Sequence, residues 1–223
     1  METNKIYQGD CLELMKQIGD KSIDLILCDL PYGMTACKWD YEIDLDKLWF
    51  EYKRVIKDTG VVVLTSAQPF TSKLVMSNPE MFKYELIWQK TRPSNVFNAK
   101  KMFMKWHENI LIFYKKLPTF NPIMFAGKSY IIKHYLQKLE KGIFGKTGEK
   151  EGHISANNGM FYPKTVIEVS NPNHDSLHPT QKPVELFEYL IRTYTNEGDL
   201  VLDNCIGSGT TAISCQNTKR NFI

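Results

Sequence analysis

SIDLILCDLPYG, residues 22–33, decides how this chain is read. Residues 22–28 are a nearly continuous apolar run of strand length. Such a run suits a strand covered on both faces, as in the interior of a parallel sheet, and not one with a wet side. It stops abruptly at Asp29-Leu30-Pro31-Tyr32-Gly33. Proline fixes the backbone and removes a donor there, so carbonyls are left pointing outward. A carboxylate, bare carbonyls and a phenol ring then project together from a rigid strand tip. That set offers acceptors for an amino group and a flat face for a ring, more than a structural turn needs.

Outward from this stretch, strand and helix signals alternate. NKIYQG (4–9) reads as a short strand ending at Asp10, followed by a helix over 11–18 with Leu12, Met15 and Ile18 on one face. A helix over 45–57 carries Leu45, Leu48, Trp49, Tyr52, Val55 and Ile56 at helical spacing, with Gly60 as its stop before the strand VVVLTS (61–66). Pro69 opens another helix, and YELIWQK (84–90) and NILIFYK (109–115) read as strands. TVIEVS (165–170), a helix over 183–194, DLVLD (199–203), a helix over 210–217 and a strand beginning at RNFI complete the series. Between them, residues 116–165 lose periodicity and gather Gly, Lys, Pro and Asn, the mark of an insertion. Strands alternating with helices predict an α/β fold, an open and mostly parallel sheet with helices on both faces, whose ligands sit beyond the carboxyl ends of the strands.

The 223 residues suffice for one such domain with a full core. No apolar run approaches membrane-spanning length and the start METNK is polar, so neither a membrane span nor a signal peptide is expected. Cys11, Cys28, Cys37, Cys205 and Cys215 are an odd set without a CxxC pair. They predict buried free thiols in a reducing cytoplasm, with no disulfide framework and no metal site. The net charge of +3 conceals a division: Lys90–Lys146 holds 12 basic residues against Glu108 and Glu140, a net of +10, and the remainder carries −7. A split this sharp suggests a face for a polyanion, although lysine-rich surfaces also serve solubility alone.

Two further strand ends bear chemistry. Asp203-Asn204-Cys205-Ile206-Gly207-Ser208-Gly209-Thr210-Thr211 follows DLVLD and opens a helix, where glycines admit a close ligand and free N–H groups suit an anion such as a carboxylate. Without GxGxxG spacing it is not a dinucleotide fingerprint, and it reads equally as a tight turn. Asp10, in Gly9-Asp10-Cys11, stands where it can simply cap a helix.

Together these three sites resemble the β-group DNA amino-methyltransferases, which methylate adenine N6 or cytosine N4. Asp29–Tyr32 is similar to their D-P-P-Y motif, with Leu30 in place of the first proline, and Asp203–Thr211 is similar to their glycine loop. The catalytic motif comes first and the glycine loop last, the permuted order of that group. His178-Pro179-Thr180-Gln181-Lys182-Pro183, Ser66-Ala67-Gln68-Pro69-Phe70, Trp88-Gln89-Lys90 and Asn98-Ala99-Lys100-Lys101 extend the likeness over residues 4–223, apart from 117–164.

The resemblance implies a Rossmann-like S-adenosylmethionine-dependent fold, a seven-stranded sheet with one antiparallel strand. It implies a single methyltransferase domain over 1–223, carrying an inserted target-recognition segment at 117–164. Asp29, Leu30, Pro31 and Tyr32 would be catalytic, the Asp29 carboxylate and Leu30 carbonyl accepting from a base amine and Tyr32 stacking on an extruded base. Asp10 would accept from the adenine amine of S-adenosylmethionine, with Cys11 and Asp29 nearby. Gly207, Ser208, Gly209, Thr210 and Thr211 would wrap its methionine part over Asp203, and His178 and Lys182 would lie at the methionine end. S-adenosylhomocysteine would be the product, with no metal involved. Lys90, Arg92, Lys100, Lys101 and Lys105 would contact phosphates of double-stranded DNA, and the aspartate at 29 favours adenine N6 over cytosine N4. Phe120, Phe125, Tyr130 and Tyr135 read as local core. A homodimer and a bacterial or phage-infected cytoplasm are expected by analogy alone. The family usually places a ribose-binding acid beyond a strand such as RNFI, and the sequence in hand runs to Ile223. Methylation of RNA or of a protein amide, and a non-catalytic nucleic-acid-binding module, stay open at this point. A nicotinamide dehydrogenase is disfavoured by the absent GxGxxG.

Overall fold

The computed structural model describes residues 1–33, 41–134, 153–172 and 181–223. In chain order the elements are α1 (Cys11–Met15), β1 (Ile23–Cys28), α2 (Leu45–Val55), β2 (Ile56–Ser66), α3 (Phe70–Ser77), β3 (Phe82–Ser94), β4 (Lys105–Tyr114), β5 (Phe125–Ala126), β6 (Tyr130–His134), β7 (His153–Asn157), β8 (Met160–Phe161), β9 (Val166–Glu168), α4 (Val184–Tyr194), β10 (Leu200–Leu202), α5 (Thr210–Thr218) and β11 (Asn221–Phe222). Two compact units result. One comprises Met1–Asn121 with Lys164–Ile223, and the other Pro122–Pro163.

The first unit is a seven-stranded sheet in the order β11-β10-β1-β2-β4-β3-β9. Its pairings are parallel except at β4, which runs against both β2 and β3. The apolar runs are explained by the two faces they feed. Ile26 and Cys28 of β1, Val62 and Leu64 of β2, and Leu111 and Phe113 of β4 pack with Leu48, Tyr52 and Leu74 of α2 and α3. Their neighbours Leu25, Leu27, Val61, Val63, Ile110 and Ile112 turn to the opposite face, against Leu186, Leu190 and Ala212 of α4 and α5. Alternation buries every position because both sides are covered. The expected α/β architecture with one antiparallel strand is therefore the observed one.

Two local expectations fail for visible reasons. Residues 4–9 form no strand: Asn4 alone reaches β11, its N–H donating to Phe222 O at 2.7 Å, and Ile6 stays 62% exposed, with no covered face to drive pairing. Gly60 does not end α2, which stops at Val55; it lies inside β2. A Cβ at Gly60 would come within 2.9 Å of the Asp24 carbonyl and 2.7 Å of Ile56 Cγ1, and the β1–β2 register shifts at this point. The glycine permits a close backbone approach within the sheet.

The second unit contains β5 paired with β8 and β6 paired with β7, both antiparallel. There Phe125 stacks on Phe161 at 5.6 Å between centroids, whereas Tyr130 remains 40% exposed. Phe120, in the first unit, leans on Tyr194 at 6.1 Å but is half exposed. These rings are rims of small clusters more than core, and Tyr135 lies outside the described residues. No helix among the described residues is long and apolar enough to cross a membrane.

Candidate active site

The tip of β1 carries the densest polar contacts. Asp29 Oδ1 accepts from the Tyr32 hydroxyl at 2.9 Å and from the Thr65 hydroxyl, which the adjacent strand β2 delivers just before it ends. Asp29 Oδ2 accepts from the Lys182 ammonium at 2.7 Å. Lys182 stands directly before Pro183, the residue that opens α4, and its Nζ also lies 3.4 Å from Glu108 Oε2. Glu108 Oε1 in turn takes the Lys90 ammonium. Charges of alternating sign thus run from β3 through β4 and the approach to α4 to the β1 tip: Lys90, Glu108, Lys182, Asp29. Both lysine side chains are 8% exposed, Glu108 15% and Asp29 27%.

Enclosure this deep opposes ionisation, and pairing overrides it. Burial pulls the Lys182 pKa down, but Asp29 and then Glu108 leave it raised above its ordinary value. Burial likewise pushes Glu108 up, and Lys182 with Lys90 brings it below the usual carboxylate range. Glu108 Oε2 has no partner in hydrogen-bonding geometry, so its contact with Lys182 is Coulombic. Tyr32 stacks on Phe70 at 5.1 Å and 25° between ring planes, while Lys182 Nζ lies 5.9 Å from its centroid. Burial, reinforced by Asp29, holds the Tyr32 phenol neutral, as a donor.

The adjacent strand, β10, ends at Leu202 and releases Asp203, whose Oδ1 accepts from the Cys205 N–H at 3.0 Å and whose Oδ2 accepts from the Thr211 hydroxyl. These bonds pin both ends of the glycine loop to one buried carboxylate. Gly207 and Gly209 have φ of 53° and 85°, values that side chains disfavour, and Gly209 opens α5. Asn204 accepts from the Tyr52 hydroxyl at 2.5 Å, tying the loop to α2. Asp10 does cap α1: its Oδ1 accepts from the N–H groups of Leu12 at 2.9 Å and Glu13 at 3.2 Å. Both bonds go to the same oxygen. An open hollow beside α1 is lined by residues of the amino-terminal segment and α1, among them Ile6, Tyr7, Cys11 and Met15, together with Asp203, Asn204, Ile206 and Ile223.

Burial raises the Asp203 carboxyl from 3.8 to about 6, against the lowering effect of the Thr211 and Cys205 bonds. The folded protein therefore binds the proton more tightly than the unfolded chain does, and this group disfavours folding increasingly as pH rises from about 3.8 to 6. The urea midpoint of Asp203→Asn relative to the parent is expected to climb across that interval and level off above it. A constant difference with pH would show that Asp203 is not the buried acid drawn here.

The expected site residues divide. Asp29, Tyr32 and Lys182 are brought together; Asp203 holds the glycine loop, Cys11 lines the same hollow as Asp203, and Asp10 bonds within α1. Leu30 is buried beside them and Pro31 half-buried, while His178 lies outside the described residues. Lys182, expected at the methionine end of the cofactor, reaches the Asp29 carboxylate. Lys90 is the clear correction: expected on phosphates, it is 7% exposed and paired with Glu108, so its charge is spent inside the protein. Arg92, Lys100, Lys101 and Lys105 are at the surface, and Arg92 also donates to the Pro172 carbonyl at 2.8 Å. Thr65 and Glu108 were not picked out from sequence; their only signal is position, one at the end of an apolar strand and one at the start of the next. Cys11, Cys28 and Cys205 gather beside Asp203, where burial pushes Cys28 up to about 12 and a hydrogen bond to Cys205 raises Cys11 further. Un-ionised thiols are poor nucleophiles. Among the described residues no group of three or more His, Cys, Asp or Glu is arranged to hold a metal ion.

Comparison with known proteins places this geometry. The chain is 31% identical to the Type II methyltransferase M1.MboII of Moraxella bovis, over all of this chain and 91% of that protein. It is 28% identical to the Type II methyltransferase M.BglII of Bacillus subtilis, spanning 64% of that longer relative, and 27% identical to the DNA adenine methyltransferase YhdJ of Escherichia coli, over 78% of it. In fold it matches the crystal structure of an M1.HpyAVI–SAM complex (TM-score 0.64, 24% identity, 98% of this chain and 91% of that one). It also matches the cytosine-N4-specific PvuII DNA methyltransferase (TM-score 0.68, 18% identity, all of this chain and 81% of that one). The N6/N4 DNA methylase family model matches residues 23–223, from the first residue of β1 onward. With the acid-tipped strand β1 and the glycine loop both inside that span, the chain belongs to the N6/N4 family of DNA methylases.

Proposed function

We propose that this protein methylates adenine N6 in double-stranded DNA, using S-adenosylmethionine, by direct transfer to a base turned out of the duplex. The observation that carries this reading is the β1 tip: a carboxylate held from three sides by Thr65, Tyr32 and Lys182, with a glycine loop leaving the adjacent strand β10 at the same edge of the sheet.

The cap of α1 and the glycine loop fit the cofactor. Asp10 uses one carboxylate oxygen for its helix cap, which leaves the other for an adenine amine. Gly207 and Gly209 bring backbone close without side chains, and the first N–H groups of α5 face a carboxylate well. Bound there, S-adenosylmethionine supplies a methyl group on a sulfonium and leaves as S-adenosylhomocysteine.

What the protein must overcome is a poor nucleophile, since the lone pair of a nucleobase amine is delocalised into the ring. Asp29 and the Leu30 carbonyl accept its two N–H bonds, which favours a pyramidal nitrogen; the same carboxylate stabilises the positive charge that develops as the methyl group passes from sulfur to nitrogen, and one amine proton is afterwards lost to solvent. Lys182 and Thr65 fix the carboxylate beforehand, so little reorganisation remains. The resemblance supports adenine as target through the aspartate, in place of a serine, at this tip; an acceptor by itself suits the amine of either base.

Incubation of a random duplex library with labelled S-adenosylmethionine, followed by mapping of modified bases, tests the proposal. Label at adenine N6 in a fixed sequence context is the expected result. Label at cytosine N4 would overturn the choice of base, and label only in RNA or peptide competitors would overturn the choice of substrate.

A further inference from the structure

The β3–β4 hairpin holds two phenylalanines that lie almost wholly in water. Ser94 of β3 pairs with Lys105 of β4, four residues beyond Asn109, which is level with Ser66 at the end of β2. At about 3.3 Å per residue the hairpin therefore rises roughly 13 Å past the sheet edge that carries Asp29. At its tip Phe97 is 104% exposed and Phe103 99%, with Val96, Met102 and Trp106 also well exposed. Apolar side chains gathered at one exposed hairpin tip mark an interaction site when the surface they offer is polar-rimmed.

The tip is built and not frayed. Asn95, at a φ of 67°, starts a 3-10 turn over Val96–Asn98, and its carbonyl accepts from the Asn98 N–H at 3.0 Å. Lys101 and Met102 donate back to the Asn98 carbonyl at 2.8 and 3.0 Å, and the Asn95 amide reaches Met102 Sδ at 3.2 Å. Lys100, Lys101 and Lys105 flank the rings, and residues 95–107 contain no acid. An apolar point ringed by cations and held rigid matches a polyanion with an apolar interior, which is duplex DNA.

We infer that the Asn95–Met104 hairpin tip is a wedge: Phe97 and Phe103 enter the base stack beside the target, while Lys100, Lys101 and Lys105 hold the flanking phosphates. Apolar side chains inserted between base steps unstack them and kink the duplex. A ring left in the vacated space replaces part of the stacking lost when a base is extruded, so the wedge favours the open state without touching the reacting amine.

This rests on the proposed DNA methylation, and the experiment keeps the two apart. Phe97→Ala, Phe103→Ala and the double variant are compared with the parent by single-turnover transfer to a duplex bearing the mapped site. The target is either normally paired or placed opposite an abasic position. Because both rings are in water, the variants are expected to melt as the parent does. On the paired duplex the double variant should be slower by roughly tenfold to a hundredfold, the weight of one base–aromatic stack. Opposite the abasic position, where little remains to be opened, the deficit should shrink to within about threefold, and Phe97→Leu should recover part of the loss on paired DNA. An equal deficit on both substrates, or none on either, overturns the wedge. If the parent itself transfers no methyl group to DNA, the underlying function has failed and not the wedge alone.

Discussion

Replacing Asp29 with alanine is expected to abolish methyl transfer, by about a thousandfold or more, while cofactor binding survives. Removing a single preorganised group that stabilises developing charge typically costs about a hundredfold to a thousandfold. Asp29 is asked to do more than one such group, since it both orients the amine and balances its charge. The glycine loop and Asp10, by contrast, are held by Asp203, Thr211 and the cap of α1, none of which touches Asp29. Labelled transfer to DNA and calorimetric titration with S-adenosylmethionine measure the two quantities separately. Parallel loss of both would make Asp29 a structural residue. Asp29→Asn preserves shape and serves as the second variant, because alanine also deprives Lys182 of its nearest partner.

Lys182→Met is expected to destabilise the protein by about 3 kcal/mol as well as to inactivate it. Breaking a buried ion pair from one side costs about 3–5 kcal/mol because the remaining charge is stranded. The lower figure applies here, since Asp29 retains some contact with water and Glu108 keeps Lys90. The pH dependence carries the signature. In the parent the lowered Glu108 pKa contributes stability that is present above the ordinary value of 4.5 and lost as pH falls through the lowered one. The raised Lys182 pKa contributes stability below 10.5 that is lost as pH rises through its own raised value. The deficit of Lys182→Met, read from urea midpoints, should accordingly be largest near neutral pH and shrink as pH falls below 4.5, where the parent itself loses this contribution. The same deficit at every pH would mean that Lys182 matters through packing alone.

How much of this was legible beforehand depends on the kind of signal. The apolar runs of β1 and β2 declared their double coverage because every residue in them faces a helix layer, and the strand tips followed from them. Asp29, Tyr32, Asp203 and the glycines could be found because their chemistry is concentrated in short stretches next to those tips. What could not be read was partnership. Lys90 looks like any lysine in a basic segment until β3 and β4 pair and set it against Glu108, and nothing near Thr65 in sequence announces that its hydroxyl meets Asp29. Residues 4–9 have alternation enough for a strand, yet alternation without a surface to cover does not pair.

The reversed direction of β4 has a consequence for how such a protein can change. A strand that returns directly beside its predecessor needs only a short link, whereas its parallel neighbours need a helix between them. The link from Asn95 to Met104 can therefore lengthen, shorten or be exchanged for another without disturbing either helical layer, provided Ser94 and Lys105 still meet. Contacts with the substrate can be rewritten there while the chemistry, anchored in separate strands, stays where it is.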